Sequence, residues 1–183
     1  MRAFFVVTAL LVSVAAAGAE DITLNLDPAH TIVQFTLGAT LHTVHGTFKL
    51  KSGILHFDPA TGKIGGEIIV DAASGDSQEA ARDRKMHKEV LESARFPEIV
   101  FRPDNVDGIV AAQGKSSIKV HGTLSMHGRP HEITLPVEVE MAAGHWTAAT
   151  HFTVPYVAWG MRNPSTLLLR VSDKVEITAA ITQ

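Results

Sequence analysis

Ten histidines and no cysteine set the limits on the chemistry this chain can offer. His42 and His45 form an H-x-x-H pair. His121, His127 and His131 cluster around one short loop, and His145 and His151 follow on the next apolar-polar stretch. Imidazoles in such numbers raise a zinc or copper site. The spacing argues against it. Residues three apart on a strand point to opposite faces, which separates His42 from His45. His121 and His127 share a face but stand roughly 20 Å apart along an extended chain. Solvent-facing imidazoles on the wet side of strands are the simpler expectation, and no metal is assigned. His131-Glu132-Ile133-Thr134-Leu135 begins like H-E-x-x-H but has Leu where the second ligand belongs. There is no G-x-S-x-G, no G-x-G-x-x-G and no P-loop. A Ser-His-Asp triad assembled from distant positions stays open. Enzyme motifs are otherwise absent, so neither catalysis nor a cofactor is expected.

The chain of 183 residues opens with MRAFFVVTALLVSVAAAGAE. One basic residue, an apolar run and Ala17-Gly18-Ala19 make a secretory leader over residues 1–19, cut after Ala19. The domain then covers 20–183. Loss of Arg2 moves the net charge from -3 to -4, a poor match for nucleic acid. The leader's apolar run is short for a span, and no later stretch is apolar enough for one, so stable membrane insertion is not expected. Export without cysteine fits a bacterial periplasm, and a domain of this size can rely on its core alone.

The elements that must position any site read as strands. Ile118, Val120, Leu124 and Met126 alternate with Lys119, His121, Thr123 and Ser125. Ile133, Leu135, Val137, Val139 and Met141 alternate with Glu132, Thr134, Glu138 and Glu140. Trp146, Ala148, Phe152 and Val154, and later Val175, Ile177, Ala179 and Ile181, repeat the pattern. Period-two alternation marks strands with one dry and one wet face, as in antiparallel sheets. Turn residues in FDPATGK, MHGRPH and AAGHW join them as hairpins. Strands are expected near 30–37, 44–57, 64–71, 98–102, 109–112, 116–126, 131–141, 145–154, 166–171 and 174–182. Long strands in sequential hairpins favour a closed antiparallel barrel of about eight strands over a sandwich, since closure removes exposed edges. The fold class is all-β, a closed antiparallel barrel with a short helix at one end.

That helix lies in DSQEAARDRKMHKEVLESARFP, Asp76–Pro97. Asp76 or Ser77 is the expected cap, with Glu79 completing a capping box. Asp83 and His87 can pair one turn apart. Met86, Val90, Leu91 and Ala94 form the apolar stripe, with Arg82, Lys85, Lys88 and Glu89 turned to water. Phe96-Pro97 ends the segment. A short helix must lean on something, and across a barrel end it is either a plug or a lid. As a lid it would set Arg84 and His87 near the polar end of a bound molecule.

The pieces HGTFKLKSGILHFDP, IIVDAASGDSQEAARDRKMHKEVLESARFPEIVF, VHGTLSMHGRPHEITLPVEV and VSDKVEITAAI follow one another over nearly all of the chain after the leader. In that order they resemble the YceI-like family of exported bacterial proteins. The resemblance implies a lipocalin-like eight-stranded barrel with a long apolar cavity for an isoprenoid lipid, a polyprenyl chain or quinone, and no catalysis. It places Asp76 to Phe96 at the barrel mouth. The stretch YVAWGMRNPSTLLLRVSDKV departs from the family pattern, which leaves Trp159 and Met161 loosely aligned. The cavity-lining candidates are Phe35, Phe48, Phe101, Val120, Leu124 and Phe152 from strands, Met86, Val90, Leu91 and Phe96 from the insertion, and Trp159, with Arg84 and His87 at the mouth. Inward positions such as Ala148, Val120, Val139 and Ala179 are small or medium, which leans towards a hollow interior. Two readings compete with the carrier: an exported interaction domain with a filled core, and a histidine-based metal binder. The partner expected is an apolar small molecule or lipid; a dimer stays open. Intact-mass measurement of the exported protein should give a chain that begins at Glu20, and a mass that retains the first nineteen residues would contradict the leader.

Overall fold

A computed structural model describes residues 21–183, and the expected leader lies outside the described residues. The strands are β1 (Ile22–Asn25), β2 (Thr31–Gly38), β3 (Thr43–Phe57), β4 (Ile64–Asp76), β5 (Glu98–Asp107), β6 (Gly114–Met126), β7 (Arg129–Ala142), β8 (His145–Val154) and β9 (Val175–Thr182). All pairings are antiparallel. The order runs β3-β2-β9-β8-β7-β6-β5-β4, and β4 pairs again with β3, which closes an eight-stranded barrel. β1 lies in line with β2 along the same edge of β3, and a single 3-10 turn, Pro28–His30, separates the two.

The hairpins form where the turn chemistry calls for them. His127 and Gly128 (φ 53° and 72°) close β6 onto β7, and Ala143 and Gly144 (φ 51° and 84°) close β7 onto β8. Positive φ at both central positions gives the turn whose twist matches that of paired strands. Along β6 to β9 the apolar set of each alternation faces inward and the Lys, Glu, His and Thr set faces out. This is the reverse of a membrane-spanning barrel, which carries its apolar band outside.

Four strand expectations need correction. β4 continues past 71 to Asp76, into the stretch expected to open the helix. β5 continues past 102 to Asp107 although Pro103 lies within it. Proline cannot donate to the ladder, and the register shifts between Pro103 and Asn105, a bulge that removes the need for its N–H. Gly122 stands opposite, where a Cβ would collide with the Arg102 carbonyl and come within 2.7 Å of Pro103 Cα. Residues 109–112 form a loop, not a strand. Residues 166–171 form a turn whose one ladder contact is Val171 with Ala39. Both stretches are apolar but too short to be distinguished from strands by pattern. β1 was not expected, because four residues carry too little alternation to register.

Between β4 and β5 the chain forms α1 (Ala80–Lys85) and one turn of π-helix, Met86–Val90. The cap is Glu79, whose carboxylate accepts from the N–H groups of Ala81 (2.9 Å) and Arg82 (2.8 Å), rather than Asp76 or Ser77. Those two residues build the preceding turn. Asp76 accepts from the Gln78 N–H at 2.7 Å, and Ser77 N donates to Asp83 Oδ1 at 2.9 Å. Asp83 is therefore engaged with Ser77 and not with His87.

Candidate functional site

The barrel is hollow. A cavity of about 850 Å³ runs between its two ends, at the upper part of the roughly 300–1,000 Å³ usual for small-molecule sites. Ile68, Ile133, Val137 and Val139 face inward yet stay partly exposed, because their tips end on empty space instead of on one another. A filled core would bury them completely. Phe101, Val120, Leu124 and Leu135 line the same cavity but are more fully buried by their neighbours along the wall.

The expected residues divide into two groups. Phe35, Phe48, Phe101, Val120, Leu124 and Phe152 lie on the wall. So do Met86, Val90 and Leu91 from the insertion. The π-turn explains the last three: Leu91 N donates to Met86 O at 2.9 Å, five residues back, which stacks Leu91 under Met86 with Val90 beside them.

Arg84, His87, Phe96 and Trp159 lie off the wall. Arg84 projects into solvent. Met86, first residue of the π-turn, faces inward, and one turn earlier the same face of α1 carries Arg82; Arg84 and His87 fall to either side of that face. His87 Nε2 donates to the Gly75 carbonyl at 2.9 Å and its Nδ1 accepts from the Ser93 hydroxyl at 3.2 Å, so it ties the π-turn to the end of β4. A carbonyl can only accept, which fixes the tautomer. Phe96 packs on the His127 ring at 4.5 Å. Trp159 stacks on His131 at 3.9 Å with the planes 6° apart. Burial, with the Arg129 cation nearby, pushes the His131 imidazole below its usual range. Ala94 leaves the apolar stripe and is exposed.

Arg82 and Lys85, expected in water, reach the cavity mouth with His42, Ser77 and Glu79. Arg82 Nε donates to Ser77 Oγ at 2.8 Å and Nη2 to the Ser77 carbonyl at 3.0 Å, while Nη1 stands 3.4 Å from His42 Nε2. Lys85 Nζ donates to the Pro164 carbonyl at 2.8 Å. The two cations pin the insertion to the β2–β3 turn side and to the segment after β8. Hydrogen bonds from the Ala81 and Arg82 N–H groups hold the Glu79 carboxyl below its usual range. The signal that finds Arg82 in the sequence is its place four residues before Met86, one helical turn away. Deeper in the lumen, Thr150 Oγ1 has no hydrogen-bond partner.

Four of the histidines settle on the outer surface in a repeated way. His45, His56, His121 and His151 each meet the threonine directly opposite on the neighbouring strand: Thr36, Thr23, Thr134 and Thr178, at 2.8 to 3.2 Å. His121 also donates to Asp107 at 2.8 Å, and that bond holds the Asp107 carboxyl below its usual range. Among the described residues no three His, Asp or Glu side chains converge as metal ligands would.

A closed eight-stranded antiparallel barrel with an apolar lumen and a helical insertion across one end defines a lipocalin-like class of protein. Residues 24–183 match the YceI-like domain, and the chain belongs to that family. The fold recurs in solved structures of low identity. The crystal structure of Burkholderia cenocepacia BcnA is 19% identical with a TM-score of 0.69, covering 86% of this chain and 99% of its own. A polyisoprenoid binding domain from Saccharophagus degradans, implicated in plant cell wall breakdown, is 13% identical with a TM-score of 0.67, covering 89% and 98%. The Campylobacter jejuni YCEI protein is 14% identical with a TM-score of 0.56, covering 100% and 92%. No curated protein matches the chain.

Tyr156, the single tyrosine, lines the cavity and donates its hydroxyl to the Ser172 carbonyl at 2.7 Å. Burial, and the Asp173 carboxylate after it, push the phenol up to about 12. The fold thus favours the neutral form. The stability this lends is full below the ordinary value of about 10 and is lost as pH rises from there towards 12. Phenolate absorbance in the folded protein should appear near the raised value; a transition at the ordinary one with the fold intact would contradict this placement.

Proposed function

We propose that this chain is an exported binding protein that holds an apolar, chain-like lipid of the isoprenoid class, a polyprenyl chain or quinone, inside its barrel. The observation that carries the reading is the lumen, about 850 Å³ with a wall that is almost wholly hydrocarbon. Transfer of an apolar chain from water into such a space gains roughly 0.8 kcal/mol for each CH₂ buried. Phe35, Phe48, Phe101, Val120, Leu124 and Phe152 supply the strand wall in this reading, and Met86, Val90 and Leu91 form the underside of the lid. A polar head group would rest at Arg82, Lys85 and His42. The solved relative named as a polyisoprenoid binding domain supports the ligand class.

The interior accounts for binding without any bond being made or broken, so the reading assigns no catalytic residue. The leader, with its cut after Ala19, supports export to the periplasm or beyond. Storage, transport through an aqueous compartment and sequestration all use the same lumen. A filled-core interaction domain is the rival reading, and the empty volume speaks against it.

The test is to purify the protein without detergent, extract it with organic solvent and weigh the extract by mass spectrometry, beside two variants. Ala148→Trp places a large ring in the lumen, and Leu124→Arg places a charge there. The wild type should yield lipid with isoprenoid mass spacing at close to one per chain. Ala148→Trp should lose at least tenfold of it while its circular dichroism stays native. Leu124→Arg should lose it too, with some loss of stability. Wild-type protein that is empty and takes up neither quinone nor polyprenol, or Ala148→Trp protein that stays fully loaded, would overturn the reading.

A further inference from the structure

A turn at the barrel mouth carries leucines where turns ordinarily carry polar residues. Thr166 N donates to the Leu169 carbonyl at 2.9 Å, and Leu169 N donates back to Thr166 Oγ1 at 3.2 Å. Leu167 and Leu168 are left at the tip, 95% and 88% exposed. Turn tips favour Gly, Pro, Asn, Asp and Ser. Leu41, 81% exposed, projects from the neighbouring β2–β3 turn. The two turns are clamped together: Thr40 N donates to the Arg170 carbonyl at 2.9 Å, Arg170 N donates to Thr40 Oγ1 at 3.1 Å, and Ala39 pairs with Val171. The leucines are therefore held on a built projection.

This projection is continuous with the cavity. Leu169, Val171, Ala39 and His42 line the lumen while Leu167, Leu168 and Leu41 beside them face out. The exposed leucines thus directly adjoin residues of the cavity wall. Charge points the same way. The connections at the mouth, residues 39–42, 77–97, 127–128 and 155–174, carry eight Lys and Arg against five Asp and Glu. The connections at the opposite end, residues 21, 26–30, 58–63, 108–113 and 143–144, carry one against three. The described chain as a whole is acidic, so the basic excess at the mouth is a local feature.

We propose that the mouth docks reversibly on an anionic phospholipid bilayer, with Leu41, Leu167 and Leu168 entering the headgroup region and the surrounding Arg and Lys facing lipid phosphates. This inference rests on the reading of the lumen as a lipid site. Exposed leucines alone would suit any apolar partner. The basic rim selects a negatively charged one, and the position of the leucines beside residues that line the lumen selects a surface that can deliver a hydrocarbon chain. Docking mouth-first would let such a chain pass from bilayer to lumen without crossing water.

The experiment is flotation of the chain from Glu20 onwards with vesicles of phosphatidylglycerol and phosphatidylethanolamine, and with vesicles of phosphatidylcholine. The combined variant L41S/L167S/L168S is compared with I109S, which removes an equally bare side chain, 86% exposed, from the opposite end. None of the four residues lines the lumen. Wild type and I109S should float with the anionic vesicles, at least tenfold better than the triple variant and better than with phosphatidylcholine, and should detach as salt is raised. Solvent extraction of the same samples reads cargo separately. Empty protein that still floats leaves docking standing and removes the carrier reading. Loaded protein that fails to float, or a triple variant that floats as well as wild type, overturns docking. So does a concentration-dependent dimer abolished by the triple variant without vesicle binding, which would assign the patch to a second copy of the chain.

Discussion

The structure depends on one geometric constraint: closing eight antiparallel strands fixes the width of the space inside, whatever the side chains are. Inward residues can then fill that space or fail to. Here Phe101, Leu124 and Leu135 are buried by their neighbours yet still line the lumen, and Val137, Val139, Ala148 and Ala179 are too short to meet across it. The lumen is the remainder. Its lining is apolar because the strands must keep one dry face in order to fold, so the force that closes the barrel also makes its cavity receptive to hydrocarbon.

The insertion between β4 and β5 solves the problem that closure leaves at the end of the barrel. It turns Met86, Val90 and Leu91 onto the lumen and is held by polar bonds at its edges: Arg82 to Ser77, Lys85 to the Pro164 carbonyl, His87 to the Gly75 carbonyl. Of Met86, Val90 and Leu91, only Leu91 is fully buried. The same bonds leave two cations at the entrance, beside a rim of exposed leucines. An apolar tube with a cationic entrance suits a molecule with a long hydrocarbon body and a small polar end.

The barrel was legible in the sequence because its signal is repeated. A one-residue slip would turn every side chain of β6 or β7 to the wrong face, so alternation has to be strict, and strict alternation is easy to read. Hollowness was not legible in the same way. Val120, buried, and Val139, half-buried, lie on the same wall and occupy the same position in the pattern, and only the side chains around them distinguish the two. Short apolar runs misled: Thr-Leu-Leu-Leu-Arg at 166–170 has the composition of a strand, yet hydrogen bonding by Thr166 folds it into a turn with two leucines in solvent. At the mouth the helical period sets Arg82 on the face of Met86, while Arg84 and His87 have suitable chemistry but lie out of that phase. The role of His87 as a tie to Gly75 depends on a chain crossing that no local pattern encodes.

Calorimetric titration with prenols of increasing chain length tests the central claim most directly, because it measures the lumen from the inside. Affinity should rise by about 0.8 kcal/mol for each CH₂ equivalent buried, with a negative heat-capacity change, and level off once the chain exceeds what the barrel holds. Affinity that does not depend on chain length, or binding without a heat-capacity change, would mean that the ligand sits on the outer surface and that the lumen is not the binding site.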